Sequence, residues 1–166
     1  MSTENKLKHC LKEGESGERH KGLKKIEINK ELAGRYIKKA LHNFNAILDF
    51  KNIGYSDWSA SAAFYSLYHL LLAILAKKGF ESRNQSCTFA LIESMIDNGE
   101  ITLTKEELKE MFDKDVTEDL AHSSKILDIR ESMQYSASTS MEAEEFNKLT
   151  NRTKFLFDKL RIDVER

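Results

Sequence analysis

The sequence has no proline among its 166 residues. Proline interrupts an α-helix more strongly than any other residue, because it lacks a backbone N–H and its ring clashes with the preceding turn. A chain without proline can therefore form long uninterrupted helices, and this absence favours a helical fold. Hydrophobic residues make up 40% of the chain and charged residues 32%, which is typical of a single globular domain of this length.

Cysteine is also scarce. The two cysteines, Cys10 and Cys87, are far apart and match no metal-binding or redox spacing. We therefore expect no metal site and no cofactor, and we expect a reducing, cytoplasmic setting. The formal net charge of −1 lacks the strong basic excess that is typical of proteins binding DNA or membrane surfaces through overall charge.

Long apolar segments and known catalytic motifs are missing too. The amino terminus has no apolar signal region. The most apolar segment, residues 60–76, contains Ser61, Ser66 and His69 and is shorter than the roughly 20 residues that span a membrane, so it predicts a buried core helix and no membrane partner. The chain has no nucleotide-binding glycine loop, no Gly-x-Ser-x-Gly motif and no His-Glu-x-x-His motif.

The chain divides into two parts by hydrophobic pattern. Residues 1–29 show no sustained period and hold three of the seven glycines, which predicts a flexible polar arm. From residue 30 onward, apolar residues recur at helical spacing, and no alternating strand pattern competes with them. Helices are predicted at about 30–50, 56–78, 85–98, 116–135 and 140–162, with a further helix start where Thr104 and Glu107 form a capping box. We predict an all-α fold, an antiparallel bundle of five or six helices over residues 30–166.

Two of these helices carry surfaces that suggest contacts. On the first, Arg35, Lys38 and Lys39 form a basic stripe, which indicates either an ordinary solvated face or an anionic partner. The second is apolar on one side, while the opposite side holds aromatic, polar and small residues that suit a subunit interface or a cleft: Ser61, Tyr65, Tyr68, His69, Leu72 and Ala76.

Arg130 is the third candidate. On the helical wheel it lies between the apolar residues Ile126, Leu127 and Met133, so its guanidinium is expected to be half buried. Such an arginine needs an acidic side chain, a helix end or a bound anion such as phosphate as its partner. The sequence leaves the internal partner and the bound anion as alternatives.

The order "RYIKKALHNFNAIL", "SASAAFYSLYHLLLAILAKKGF" and "DIRESMQY" resembles the HEPN superfamily, small helical domains of prokaryotes and higher eukaryotes, and most closely its stand-alone prokaryotic branch. The resemblance covers about residues 30–163. It is carried by Ala63, Tyr65, Tyr68, His69, Leu72 and Gly79 in the second helix, and by Arg130 and Tyr135 in a later one. It implies a homodimer with a polar cleft at the interface, and pairing with a small nucleotidyltransferase is common in the family.

Many HEPN proteins are ribonucleases or toxins whose motif is an arginine followed, after four to six residues, by a histidine. Counted from Arg130, that histidine would stand at Tyr135, Ser136 or Ala137, and His122 precedes the arginine. The resemblance therefore implies binding of nucleotide or RNA more than its cleavage, because a tyrosine phenol is a poor base at neutral pH.

Three functions follow as hypotheses. The leading one is a dimeric domain that binds nucleotide or RNA, or pairs with a nucleotidyltransferase, through Arg130, Tyr135, Arg83, Asn84, Arg35, Lys38 and Lys39. The first alternative is a ribonuclease or toxin with a non-standard active site, in which His69 or His122 acts with Arg130. The second is a structural dimerisation module whose interface contains Tyr65, Tyr68, His69 and Leu72.

Overall fold

The architecture is all-α, as predicted. The structure is a computed structural model, and it describes residues 1–112 and 126–166. The described part contains seven α-helices: α1 Thr3–Glu13, α2 Lys30–Asn52, α3 Ser59–Lys77, α4 Gln85–Asp97, α5 Lys105–Leu108, α6 Ile126–Tyr135 and α7 Ala143–Glu165. Two short strands, β1 Leu23–Lys25 and β2 Phe80–Ser82, pair in antiparallel fashion with Leu23 opposite Ser82. The amino-terminal part of the helix predicted at 116–135, with His122, lies outside the described residues.

The centre of the bundle is α3, which packs against α2 and α7. Almost every residue from Ser59 to Ala76 is buried, so the helix is covered on all sides rather than on one face. The segment Ser56–Lys77 is long and apolar enough to cross a membrane, but 83% of its most apolar window is buried inside the bundle. Its hydrophobicity is accounted for by the core that it forms, as the sequence predicts.

Helix boundaries follow local capping chemistry. Asn29 caps α2 by accepting a 2.9 Å hydrogen bond from the backbone N–H of Leu32, and Thr104 caps α5 by accepting a 3.1 Å bond from the N–H of Glu107. After α3 the chain turns at Gly79, whose φ of +86° is the left-handed conformation that glycine adopts at helix ends. The predicted cap at Thr104 and the predicted end at Gly79 are confirmed.

The amino-terminal segment differs from the predicted flexible arm. Residues 1–29 form α1 and β1, and α1 packs on α4. Packing around Gly14 is so close that a Cβ there would lie 1.7 Å from the carbonyl oxygen of Leu23. Few apolar residues hold this segment, so its order depends on contacts with distant parts of the chain, which local periodicity does not report.

One such contact is a disulfide between Cys10 of α1 and Cys87 of α4, with the two Cα atoms 5.8 Å apart. Both cysteines are almost fully buried. This pairing was not predicted from the sequence, because the two cysteines are separated by 77 positions and belong to no spacing motif. Disulfides persist mainly in oxidising compartments, so this pairing does not support the reducing, cytoplasmic setting, which stays a prediction.

Candidate functional site

A cavity of about 510 Å³ opens between the start of α3, the end of α6 and the loop that follows α6. Its wall includes Asp57, Trp58, Ser61 and Tyr65 from one part of the chain, and Arg130, Gln134 and residues 136–139 from another. Cavities of this size and mixed polarity are typical of sites for small ligands. The lining is rich in hydroxyl groups and carries one arginine, Arg130, and one carboxylate, Asp57, so it offers a ligand hydroxyl groups and charges of both signs.

Buried hydrogen bonds hold the two halves of the cavity together. The Ser56 hydroxyl accepts a 2.7 Å hydrogen bond from the backbone N–H of Met141, which fastens the loop after α6 to the turn before α3. The Ser59 hydroxyl donates a 2.7 Å bond to the carbonyl of Ile47, which fastens the start of α3 to α2. The rim of the cavity is therefore positioned by the bundle before any ligand arrives.

Arg130 is partly buried and lies against aromatic rings. Its guanidinium carbon is 4.0 Å from the centroid of the Phe64 ring and 5.4 Å from that of Tyr65. Both distances are within the range of cation–π attraction. The buried Nε atom of Arg130 has no hydrogen-bond partner in the part of the chain that the structure describes. A buried donor without a partner is costly, and Arg130, which also lines the cavity, keeps its positive charge there.

Asp57 is the carboxylate among the residues that line the cavity, and no salt bridge joins it to Arg130 within residues 1–112 and 126–166. Within the same described ranges, no three His, Cys, Asp or Glu side chains are grouped closely enough to hold a metal ion.

His69 does not line this cavity. Its Nδ1 lies 2.7 Å from the carbonyl oxygen of Tyr65, one turn earlier in α3, and its ring centroid is 6.1 Å from that of Tyr36 and 6.1 Å from that of Tyr68. Burial lowers the pKa of His69 below its usual value, because desolvation disfavours the charged imidazolium. His69 is thus a neutral, packed histidine, and it is not brought together with Arg130 in the cavity.

The other residues predicted for an interface are covered by their own chain. Tyr68 and Leu72 are each only 8% exposed. The Tyr68 hydroxyl lies 3.1 Å from the Thr88 hydroxyl of α4, and burial raises the pKa of Tyr68. The second face of α3, which suggested a partner subunit, packs instead on α4 and β2 of the same molecule. Tyr65 stays partly exposed, at the cavity.

The cavity lining does not include three other predicted binding residues, Tyr135, Arg83 and Asn84, although Tyr135 stands between the lining residues Gln134 and Ser136. Tyr135 ends α6 and is 80% exposed, while Arg83 pairs with Glu81 through a 2.9 Å contact from Nε to Oε1. Asn84 caps α4 by accepting a 3.0 Å hydrogen bond from the N–H of Cys87.

The basic stripe of Arg35, Lys38 and Lys39 is exposed on α2. At the usual helical rise of about 1.5 Å per residue, the stripe lies about 20 Å from the carboxyl end of α2, which is the end nearest the cavity. The structure therefore does not bring this stripe together with Arg130.

Ser61 was predicted on the face of the second helix that suits an interface or a cleft, but the sequence missed the lining residues Asp57 and Trp58. They belong to the segment "SDWSAS", which the sequence identifies only as a turn and a helix start. One signal was present, because Trp58 is the single tryptophan of the chain and stands in a turn rather than in an apolar helix face.

Comparison with known proteins agrees with this architecture. No curated protein matches the chain. The family model of the HEPN domain matches residues 33–162, which includes the whole cavity and leaves α1 and β1 outside the match. Since the match covers most of the chain, this protein belongs to the HEPN domain family.

Proposed function

We propose that this protein binds RNA or a nucleotide in the cavity around Arg130, without cleaving it by the arginine–histidine pair of the family's ribonucleases. The observation that carries the proposal is the partly buried guanidinium of Arg130, which lines the cavity and whose Nε has no hydrogen-bond partner among the described residues. HEPN domains are often related to nucleotides or RNA, and this gives the anion its chemical class.

Phosphate fits the chemistry of the lining. A guanidinium presents several N–H donors in one plane and binds phosphate oxygens in bidentate fashion. The Phe64 ring restrains Arg130 from one side, and Ser61 and Thr139 add hydroxyl groups to the cavity lining, whereas the Ser138 hydroxyl already donates a 2.8 Å hydrogen bond to the carbonyl of Ser140. These groups recognise phosphate and sugar, which are shared by all nucleotides, so they support binding without dictating a base sequence.

Binding is favoured over cleavage because the cavity lining contains no histidine in the part of the chain that the structure describes. Cleavage by general acid–base chemistry needs a proton donor and acceptor within hydrogen-bond reach of the reacting group. His69 does not line the cavity, since its Nδ1 lies 2.7 Å from the carbonyl oxygen of Tyr65 and 3.4 Å from Nδ2 of Asn43 on α2, and His122 lies outside the described residues. Asp57 shares the cavity with Arg130, and it is the residue on which a ribonuclease with a non-standard active site would depend.

A homodimer is our proposal for the assembly. Four apolar side chains are exposed in pairs seven residues apart: Leu41 at 40% and Leu48 at 54% on α2, and Phe155 at 50% and Ile162 at 58% on α7. A spacing of seven places each pair on one face of its helix. A groove of about 470 Å³ beside Leu48 and Phe146 joins the two helices. A second copy of the chain would cover this surface, and a nucleotidyltransferase is the alternative occupant.

The test uses a fluorescently labelled pool of single-stranded RNAs, read by anisotropy for binding and by gel for cleavage. Arg130→Ala should weaken binding by about tenfold or more, because a charge-assisted contact to phosphate is lost. Arg83→Ala is the matched control: it removes the same charge outside the cavity and should leave affinity nearly unchanged. Circular dichroism checks that both variants keep the helical fold.

Equal loss in both variants, or no binding at all, would contradict the proposal. RNA cleavage by the wild-type protein that disappears in Asp57→Asn would instead establish the ribonuclease alternative. A dimer that binds no RNA would identify a structural dimerisation module.

A further inference from the structure

Trp58 occupies an unusual position for the largest apolar side chain. It is the chain's single tryptophan, and it is 56% exposed on the wall of the Arg130 cavity. It ends the short 3-10 turn Ser56–Trp58, where its N–H donates a 3.0 Å hydrogen bond to the carbonyl of Tyr55. Exposing this much indole surface to water is unfavourable, so a ligand that covers it would be stabilised by burial.

Exposure alone does not distinguish Trp58, because Tyr55 is 55% exposed three residues earlier. The difference is in what surrounds the two rings. Trp58 lines the same cavity as Arg130 and Tyr65, whereas Tyr55 does not line it. An aromatic ring that stacks a base and an arginine that binds phosphate are two components that proteins combine in one site to hold unpaired nucleotides.

We propose that Trp58 stacks an unpaired base of single-stranded RNA whose phosphate is bound by Arg130. This inference rests on the proposed function and narrows it to a substrate class, single strands rather than duplex. In a duplex the faces of the bases are already stacked on one another and are not available to an indole ring. Stacking is tolerant of base identity, which agrees with a cavity whose other groups suit phosphate and sugar.

The turn that carries Trp58 is well supported for this role. Its first residue, Ser56, is buried and accepts the hydrogen bond from Met141, so the turn is joined to the loop that forms the opposite rim of the cavity. Ser59, which directly follows the turn, donates a hydrogen bond from its hydroxyl to the carbonyl of Ile47 in α2. The backbone at Trp58 is thereby held in place, so little backbone entropy is lost when a nucleotide binds.

The experiment exploits the single tryptophan, whose fluorescence reports on this site alone. The full-length protein is titrated with a single-stranded ten-residue oligoadenylate, with an abasic chain of the same length, and with an RNA duplex. Binding of each is followed separately by anisotropy of a labelled copy. We expect the oligoadenylate to quench Trp58 fluorescence, and the abasic chain and the duplex to leave it unchanged.

Three variants complete the test. Trp58→Leu should weaken oligoadenylate binding by about fivefold or more, as expected for the loss of one stacked base. Trp58→Phe keeps a flat ring and should retain most of the affinity. Tyr55→Leu removes an equally exposed ring outside the cavity and should change affinity by less than about twofold.

The outcomes separate this inference from the proposed function. Binding that depends on Arg130 but does not quench Trp58, and is unchanged in Trp58→Leu, would overturn the stacking and leave the proposed function standing. Equal weakening of oligoadenylate and abasic binding by Trp58→Leu would also overturn it, since the ring would then act on the fold rather than on a base. Absence of binding in the wild-type protein would overturn both.

Discussion

Arg130 illustrates how the surroundings of one side chain decide its role. On the outer face of α2, Arg35, Lys38 and Lys39 are exposed, and water and salt screen their charges. Arg130 is partly buried between Phe64 and Tyr65, where screening is weaker and each N–H donor that finds no partner costs free energy. The same charge is therefore much better suited to bind a phosphate group at position 130 than on the surface of α2.

His69 gives a prediction at the same scale. Burial lowers its folded-state pKa, so the unfolded chain binds a proton more readily than the folded one below the ordinary histidine value of about 6.5. The stabilisation from keeping this histidine neutral is present above that value and is lost as the pH falls through it. Urea unfolding of the wild-type protein and of His69→Gln at pH 7.5 and 5.5 should show a smaller loss of stability on acidification in the variant.

The control for this measurement is His42→Gln, which removes an exposed histidine from α2. It should lose stability on acidification as the wild-type protein does. If His69→Gln and His42→Gln behave alike, then burial of His69 does not contribute to the pH dependence.

At the scale of helices and strands, the disulfide joins α1 to the bundle. The cross-link closes a loop of 77 positions, for which chain entropy predicts a stabilisation of about 4 kcal/mol. Adding a reductant should lower the free energy of unfolding by this order. The double variant Cys10→Ala with Cys87→Ala should already be destabilised and should not respond to the reductant.

Thiol titration of the unfolded protein supplies the direct check. The wild-type protein should show no free thiol before reduction and two after it. Two free thiols in the unreduced protein would contradict the prediction.

Two glycines allow a comparison between a helix end and a helix interior: Gly79 follows the end of α3, and Gly34 lies inside α2. Gly79→Ala should destabilise by about 1–2 kcal/mol, because φ is +86° and the added Cβ would lie 3.0 Å from the carbonyl oxygen of Ile26. Gly34 lies within α2 with no atom within 4 Å of its Cβ position, so Gly34→Ala should stabilise by about 0.5–1 kcal/mol. Thermal unfolding should show a lower melting temperature for Gly79→Ala and a higher one for Gly34→Ala. A shift in the same direction for both variants would contradict the prediction.

At the scale of the whole molecule, the exposed apolar pairs on α2 and α7 predict self-association. Leu48→Glu should shift the protein from dimer to monomer in sedimentation velocity experiments, because a charge would be buried at the interface. Ile28→Glu changes an exposed apolar residue outside both helices and should leave the dimer intact. A wild-type protein that sediments as a monomer would contradict the prediction.

Much of the fold was predictable from the sequence because helices depend on neighbours three and four residues away. The bounds predicted for α2, α3, α4 and α7 differ from the observed ones by only a few residues, and the cap at Thr104 and the turn at Gly79 follow from local chemistry. The partial burial of Arg130 likewise followed from its place on one helical face.

The sequence by itself determined the helical elements, the family resemblance and the arginine at position 130. Only the tertiary structure decided the order of residues 1–29, the pairing of Cys10 with Cys87, and the meeting of Trp58 with Arg130 in one cavity. Each of these depends on contacts between residues tens of positions apart. Such contacts are set by how the elements pack on one another, and helical periodicity, which extends over only a few residues, carries no information about them.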